Sequence, residues 1–272
     1  MIPIRDTLPH ERTPIVNWAI IAVCCVVYAY QFALDLQPTG YFNVVRVRGR
    51  VHRVPVTQNE FFVNRWGAIP EVVLKGQITR EETRQRFGLL ERRAVRQAVP
   101  PRDRFLPLLT SLFLHGSLLH LLSNMLFLFV FGDNVEGRLG HLTYALFYLC
   151  GGVFASLSHV MFNIDSAIPI VGASGAISAV LGAYILLFPH SFVVTFVPLF
   201  FIPVMIHVPA LVFIGLWFFT QITNGFGSLI NTSGGIAWWA HIGGFVFGAT
   251  VTFWNYPQWR RRRARYSSAV PM

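Results

Sequence analysis

Long apolar runs separated by short polar segments recur along this 272-residue chain. A helix needs about 20 predominantly apolar residues to cross the ~30 Å hydrocarbon core of a bilayer. Six segments reach or approach that length: residues 14–34, 107–131, 142–162, 173–189, 202–222 and 236–256. The pattern therefore predicts an all-α polytopic membrane protein with six transmembrane helices. The fourth segment is short, so we expect its helix to begin below the membrane surface.

The composition points to a lipid environment and excludes several classes of function. Hydrophobic residues make up 54% of the chain and charged residues 12%, against about 25% charged in an ordinary soluble domain. The net charge of +10 could indicate nucleic-acid binding. However, the basic residues sit mostly in one loop and the C-terminal tail, and they leave no basic folded domain. We therefore expect no nucleic-acid partner. The three cysteines lie in apolar runs and match no metal-site spacing, so we expect no metal. No cofactor is expected either.

The distribution of arginine predicts the orientation of the spans. Arginines precede the first span, lie in the loop after the second span and follow the sixth span. The loops at 163–172 and 223–235 contain no Lys or Arg. Short cytoplasmic loops carry the excess of basic residues. We therefore expect a multi-pass protein of the cell membrane with both termini cytoplasmic. Its expected parts are an N-terminus at 1–13, a transmembrane domain at 14–256 and a basic tail at 257–272.

A long extracytoplasmic loop at 42–105 is expected between the first and second spans. Residues 42–104 contain 14 Lys and Arg against 6 Asp and Glu, and loops of this length largely escape the rule that sets orientation. Residues 45–54 largely alternate apolar and basic side chains, which predicts a strand of a short hairpin. Residues 79–97 predict a basic amphipathic helix on the membrane surface. The loop either recruits substrate or supports the scaffold.

The string Gly172-Ala173-Ser174-Gly175 opens the fourth span. Glycines on both sides of a serine allow a tight turn and close approach by another chain. At a helix N-terminus, free backbone N–H groups and the positive end of the helix dipole suit an oxyanion. Ser174 is therefore a candidate nucleophile for acyl transfer. The alternative is a helix start built from small residues for packing.

His241 is the candidate base, because a nucleophilic serine needs one. It lies about one turn inside the sixth span, where an ionisable group is a functional hypothesis by default, although a hydrogen-bonded core histidine is the alternative. Small residues follow both side chains at helical spacing, and stripes of this kind let membrane helices approach closely. These residues are Ser178 and Gly182 after Ser174, and Gly244 and Gly248 after His241. Packing the two stripes together would form a serine–histidine dyad.

A third group of polar residues lies on the second span. His120 and Asn124 are one turn apart on one face, with His115 upstream. Both side chains of the pair can donate hydrogen bonds. They are candidate donors to an oxyanion, together with the Ser174 backbone N–H. The alternative is hydrogen bonding between helices, which membrane proteins also use.

Taken together, these motifs resemble the rhomboid intramembrane serine proteases of the six-transmembrane bacterial type. The resemblance covers nearly the whole chain apart from residues 42–104. The family pattern Gly-x-Ser-Gly is met at residues 172–175. The pattern Ala-His followed by small residues is met in the last span, and the pattern His-x-x-x-Asn is met on the second span. A further family pattern, Gly-x-x-x-Glu-x-x-x-Gly, is met by Gly132, Glu136 and Gly140. One position departs from the family, since Ser178 stands where many members carry an aromatic residue beneath the base.

The resemblance implies hydrolysis of peptide bonds in or near transmembrane segments of membrane-protein substrates. No carboxylate follows Asp165, so a triad drawn from the later spans is excluded and a dyad is expected. A flexible glycine-containing flap at 225–235 is expected to cover a water-filled cavity, where the family also places its gate.

Two alternatives to the protease remain open. One is a non-catalytic rhomboid-like protein that binds membrane clients on the same fold. The other is a small transporter, although the repeated halves common in transporters are missing from the sequence. Substrates, cleavage-site preference and oligomeric state are not indicated.

Overall fold

The structure is a computed structural model that describes residues 1–9, 12–47, 50–86, 89–98, 101–199, 202–230 and 236–267. Its longer helices are α1 (Ile15–Asp35), α6 (Leu118–Phe127), α7 (Asp133–Leu139), α8 (His141–Phe162), α9 (Ser174–Leu187), α10 (Ala210–Ile230) and α11 (Trp238–Ser267). Its short helices are α2 (Gln58–Trp66), α3 (Pro70–Lys75), α4 (Pro101–Phe105) and α5 (Pro107–Thr110). A π-helical turn at Leu128–Gly132 joins α6 to α7.

The predicted helical membrane fold is confirmed. Among the described residues, four helical segments are long and apolar enough to cross a membrane: Ile15–Asp35, Leu118–Leu139, His141–Phe162 and Ala210–Leu229. Helix α9 is a shorter apolar helix of 14 residues, and its first residue is Ser174. Helix α11 begins near the predicted start of the sixth span and continues to Ser267. The count of six spans stays a prediction.

The predicted start of the second span is wrong. Residues 107–113 form a short helix and a 3₁₀ turn, and the long helix begins only at Leu118. The Ser117 hydroxyl accepts a hydrogen bond from the His120 backbone N–H at 3.1 Å. This contact is an N-cap, which satisfies a backbone donor that the first turn would otherwise leave unpaired. A helix start is therefore fixed immediately before His120 and Asn124.

The fifth span is also displaced from its prediction at 202–222. Residues Ile202–Pro209 form a strand and the helix begins at Ala210. The prolines at 203 and 209 explain the shift, because a proline inside a helix removes a hydrogen bond and clashes with the preceding turn. Helix α10 then extends to Ile230, so the predicted flap is wrong for residues 225–230. Residues 231–235 lie outside the described part of the chain.

In the part of the chain that the structure describes, three small antiparallel sheets accompany the helices. Strands β1 (Ile2–Asp6), β6 (Phe192–Leu199) and β7 (Ile202–Pro209) form one sheet in the order β1-β6-β7. Strand β2 (Pro38–Val47) pairs with β3 (Arg50–Thr57), so a hairpin is present. The single strand predicted at 45–54 is wrong, because residues 45–47 end the first strand and residues 50–54 begin the second. The helix predicted at 79–97 is wrong: β4 (Gln77–Arg86) pairs with β5 (Leu89–Ala98). The sequence places Gly88 between these strands, and glycine costs a helix interior about 1 kcal/mol.

Helix α9 lies at the centre of the bundle and packs closely against α11. Residues 175–184 of α9 are all buried. A Cβ atom added at Gly248 would lie 1.9 Å from the Ala179 carbonyl oxygen, and one at Gly244 would lie 2.1 Å from that of Gly175. A Cβ at Gly182 would lie 2.3 Å from the Phe245 carbonyl oxygen. The two stripes of small residues therefore meet, with backbone against backbone.

The Gly-x-x-x-Glu-x-x-x-Gly segment joins α7 to the start of α1. Glu136 is fully buried, and its carboxylate accepts hydrogen bonds from the backbone N–H groups of Val16 at 3.0 Å and Asn17 at 2.7 Å. A carboxylate at a helix N-terminus satisfies unpaired donors and complements the helix dipole. A Cβ at Gly132 would lie 2.3 Å from the Asn17 side-chain oxygen, and Gly140 adopts a φ of 85°. The segment therefore fixes α1 against the bundle.

Replacement of Gly248 by alanine is expected to destabilise the protein. The added methyl group must push α11 away from α9, and overpacking of this kind costs roughly 1–3 kcal/mol. Thermal unfolding in detergent micelles measures the loss. The matched control is Gly215→Ala on α10, where an added Cβ would meet nothing within 4 Å. Equal melting temperatures for the two variants would contradict this packing.

Candidate active site

Ser174 and His241 come together at the contact between α9 and α11. The Nε2 atom of His241 lies 2.8 Å from the Ser174 Oγ. Ser174 is the first residue of α9, where the backbone N–H groups of the first turn have no intrahelical acceptor. Both side chains are half-buried, although the residues on either side of Ser174 are buried. The geometry brings a hydroxyl within hydrogen-bonding distance of an imidazole at a helix N-terminus.

Gly172 shapes the turn that leads into the serine. Its φ is 122°, in the region that side chains disfavour, and its N–H donates to the Ser111 carbonyl oxygen at 2.9 Å. A Cβ atom at this position would lie 2.7 Å from the His120 Cε1 and 3.6 Å from the Asn124 Nδ2. The backbone before Ser174 therefore lies directly against the two side chains of α6, which only a glycine permits.

The predicted oxyanion donors lie against the same turn. Asn124 is buried, and its Nδ2 has no hydrogen-bond partner among the described residues. An unpaired buried amide is costly unless another group uses it. The His115 and His120 rings contact edge to face at 5.2 Å between centroids. The backbone of His115 is held by Gln31, whose side chain accepts from its N–H at 3.0 Å and donates to its carbonyl at 3.2 Å.

The long first loop supports the segment before Ser174. Ala68 and Ile170 exchange two backbone hydrogen bonds, at 3.2 and 2.8 Å. The Glu71 N–H donates to the Ser166 carbonyl at 3.1 Å, and Lys75 forms an ion pair with Asp165. Helix α3 and the residues before it therefore fix residues 165–170, four to nine positions upstream of Ser174.

The side chain at 178 does not support the imidazole. Ser178 is fully buried and donates to the carbonyl oxygen of Ser174 at 2.6 Å, within its own helix. A Cβ at Gly244 would lie 3.2 Å from the Ser178 Cβ, so a large residue at 178 would separate α9 from α11. The absence of an aromatic residue at 178 therefore matches the close helix packing.

Gln221 is a site residue that the sequence analysis missed. It lies on α10, is buried, and places its Oε1 2.8 Å from the His241 Nδ1. Trp217, one turn earlier on α10, has its ring centroid 6.0 Å from that of His241, and Trp238 has its centroid at 6.2 Å. A glutamine within an apolar predicted span is the sequence signal that could have identified it, because polar groups in membrane spans need partners.

Comparison with known proteins identifies the class. The rhomboid domain family matches residues 102–258, more than half of the chain. The segment shared with RHOMBOID-like protein 5 of Arabidopsis thaliana is 34% identical and covers 37% of this chain and 31% of the relative. The human presenilin-associated rhomboid-like protein, mitochondrial, is 29% identical over 57% of this chain and 40% of its own length. RHOMBOID-like protein 6, mitochondrial, of Arabidopsis is 36% identical over 28% of this chain and 24% of its own.

The chain therefore belongs to the rhomboid family, as its motifs predicted. It is a multi-pass membrane protein with a rhomboid domain. The matched segments span between about a quarter and two fifths of these relatives' lengths. The functional roles assigned to Ser174, His241, His120 and Asn124 stay predictions.

Replacement of Gly172 by alanine is expected to disrupt the site more than the fold. The new side chain would occupy a strained φ and displace the His120 ring, and a misplacement of about 1 Å in a catalytic constellation can cost roughly 100-fold in rate. The rate at which a fluorophosphonate probe labels Ser174 measures the effect. The control is Gly116→Ala, whose added Cβ would make only ordinary contacts at 3.9 Å or more. Labelling at the same rate in both variants would refute this account of the turn.

Proposed function

We propose that this protein is an intramembrane serine endopeptidase that cleaves peptide bonds in or near transmembrane segments of other membrane proteins. The observation that carries the proposal is the 2.8 Å contact between the Ser174 Oγ and the His241 Nε2. Membership of the rhomboid family supports it. No cofactor is invoked.

In the proposed mechanism the His241 Nε2 takes the hydroxyl proton as the Ser174 Oγ attacks the scissile carbonyl carbon. His241 then donates this proton to the leaving amine, and an acyl-enzyme remains on Ser174. Water attacks the ester with His241 again acting as base, which releases the second product and restores the serine. General acid–base catalysis by a positioned side chain typically contributes 10²–10⁴-fold.

The negative charge of the tetrahedral intermediate is assigned to a pocket of neutral donors. The Ser174 N–H lies at the positive end of the α9 dipole, and the orphaned Asn124 amide and the His120 ring lie against Gly172 beside it. Such preorganised donors are worth more in a site with low dielectric constant than in water. They stabilise the oxyanion without placing a fixed positive charge in the membrane.

The proposed topology has six spans with both termini cytoplasmic, in the cell membrane. The arginine bias supports this orientation, and it places the N-terminus of α9 and the first loop on the extracytoplasmic side. Water and substrate would then reach Ser174 from that side. Helices α9 and α11 complete the six spans together with the four longer candidates.

The direct test compares the wild type with Ser174→Ala and His241→Ala in liposomes that contain a transmembrane substrate. We expect cleavage by the wild type and a loss of at least about 10⁴-fold in either variant, the scale seen when a serine nucleophile or its histidine is removed. A fluorophosphonate should label Ser174 in the wild type but not in His241→Ala. Cleavage that persists in Ser174→Ala, or a folded wild type that neither cleaves nor reacts, would reject the protease and favour a client-binding role.

Replacement of Asn124 by alanine tests the oxyanion pocket. Loss of one donor is expected to lower kcat by roughly 10²–10³-fold, with little change in KM, because the bond strengthens only as charge develops. Steady-state cleavage in liposomes measures both constants. Asn255→Ala is the control, since that amide donates to the Val251 carbonyl of its own helix at 2.8 Å. A wild-type kcat in Asn124→Ala would exclude this role.

A further inference from the structure

The second nitrogen of the His241 ring also has a partner. While Nε2 faces the Ser174 Oγ, the Nδ1 lies 2.8 Å from the Oε1 of Gln221. Gln221 lies on α10, whereas the serine and the histidine lie on α9 and α11. Three neighbouring helices thus contribute one side chain each to a single line of hydrogen bonds.

The orientation of the Gln221 amide follows from its other contacts. Its Nε2 is 2.9 Å from the Trp217 carbonyl oxygen and 2.9 Å from the Thr220 Oγ1. The Thr220 hydroxyl donates to the same Trp217 oxygen at 2.6 Å, so its own oxygen is available only to accept. Both neighbours therefore require the NH₂ group. A flipped amide would place oxygen against two acceptors, which fixes the Oε1 toward His241.

An amide oxygen accepts hydrogen bonds and cannot donate them. The proton of neutral His241 must therefore lie on Nδ1, and Nε2 is left with its lone pair toward the Ser174 hydroxyl. A partner on one ring nitrogen sets the proton position on the other. We propose that Gln221 is a positioning residue that holds His241 in the tautomer able to accept the Ser174 proton. This inference rests on the proposed protease function only for its kinetic consequences.

Contacts between α10 and α11 fix the register that this bond needs. The rings of Phe218 and Phe245 stack at 4.0 Å between centroids and 19° between planes. A Cβ at Gly225 would lie 2.9 Å from the Ile242 Cδ1. These contacts lie on either side of Gln221 along α10, and they place its amide at the level of the His241 ring.

The chemistry of an amide suits this position. When His241 takes the serine proton, the Oε1 continues to accept from Nδ1–H and its dipole stabilises the imidazolium. A carboxylate would do so more strongly, but it would bring a full charge into the membrane, where ionised groups are expensive. No Asp or Glu follows Asp165 in the chain, so the neutral acceptor takes the place that an aspartate holds in soluble serine proteases.

Gln221→Leu removes the acceptor while keeping a side chain of similar size. We expect kcat to fall roughly 10- to 100-fold, by analogy with the loss of a hydrogen-bond partner that orients a metal-bound histidine, with KM almost unchanged. Thr223→Val is the matched control on the same helix. The Thr223 side chain is exposed, and its hydroxyl donates only to carbonyls of its own helix among the described contacts. Cleavage of a transmembrane substrate in liposomes measures kcat and KM.

Gln221→Glu provides the rescue variant. It keeps an oxygen acceptor beside Nδ1, so kcat at neutral pH should recover to within a fewfold of the wild type.

A spectroscopic measurement separates this inference from proteolysis itself. In protein labelled with ¹⁵N-histidine in micelles, the signals absent from a His241→Gln variant belong to His241. The wild type should show a protonated Nδ1 and an unprotonated Nε2, and Gln221→Leu should lose this preference. Unchanged signals together with kcat within twofold of the wild type in Gln221→Leu would overturn the proposal. In a further outcome, the wild type cleaves nothing while Gln221→Leu still loses the Nδ1–H signal that the wild type shows. That result would reject the protease and retain the positioning role.

Discussion

The structure depends on how closely α9 and α11 approach. The Ser174 hydroxyl reaches only a short distance from its helix, so an imidazole on a neighbouring helix can meet it only if the two backbones nearly touch. Gly182, Gly244 and Gly248 allow this, since a methyl group at any of them would lie within 2.3 Å of a carbonyl oxygen of the facing helix. Close packing of this kind drives helix association in a bilayer, where apolar burial gives little. Stability and the Ser174–His241 contact therefore have one cause.

The same constraint explains the small side chain at position 178. An aromatic residue there would support an imidazole from below, but here the space is taken by the approach of Gly244. The imidazole is held instead from the α10 side, by Gln221 and the Trp217 ring. On the opposite side, the turn before Ser174 is fixed by the Ser111 carbonyl and by the pairing of Ala68 with Ile170. Ser174 and His241 are thus fixed by different parts of the chain.

The sequence was sufficient to predict the helices whose apolar or small residues recur at helical spacing, and the residues that lie in a short motif. The apolar runs placed α1 and α8 within one residue at each end, and the glycine stripes predicted which helices meet. The predicted starts of the second and fifth spans were wrong, because a local signal overrides hydropathy there. These signals are the Ser117 cap and the prolines of β7. The basic amphipathic pattern at 79–97 favoured one helix, but the segment forms two successive strands that pair with each other, and amphipathicity alone does not reveal that pairing. Gln221 was missed because a third group was expected to be a carboxylate, and no Asp or Glu follows Asp165.

Carboxamides recur at each point where this site needs a polar group without a charge. Gln31 matches both the N–H and the carbonyl of His115, Asn124 presents an unpaired donor to the pocket, and Gln221 presents an acceptor to His241. Each amide can donate and accept, so the protein can fix its direction with one end and use the other. A carboxylate at position 221 would be attracted to water and would favour the protonated form of the imidazole even before any proton transfer. In the proposed mechanism, a neutral amide leaves His241 uncharged until the serine proton arrives, which is the state that a base must hold before the reaction begins.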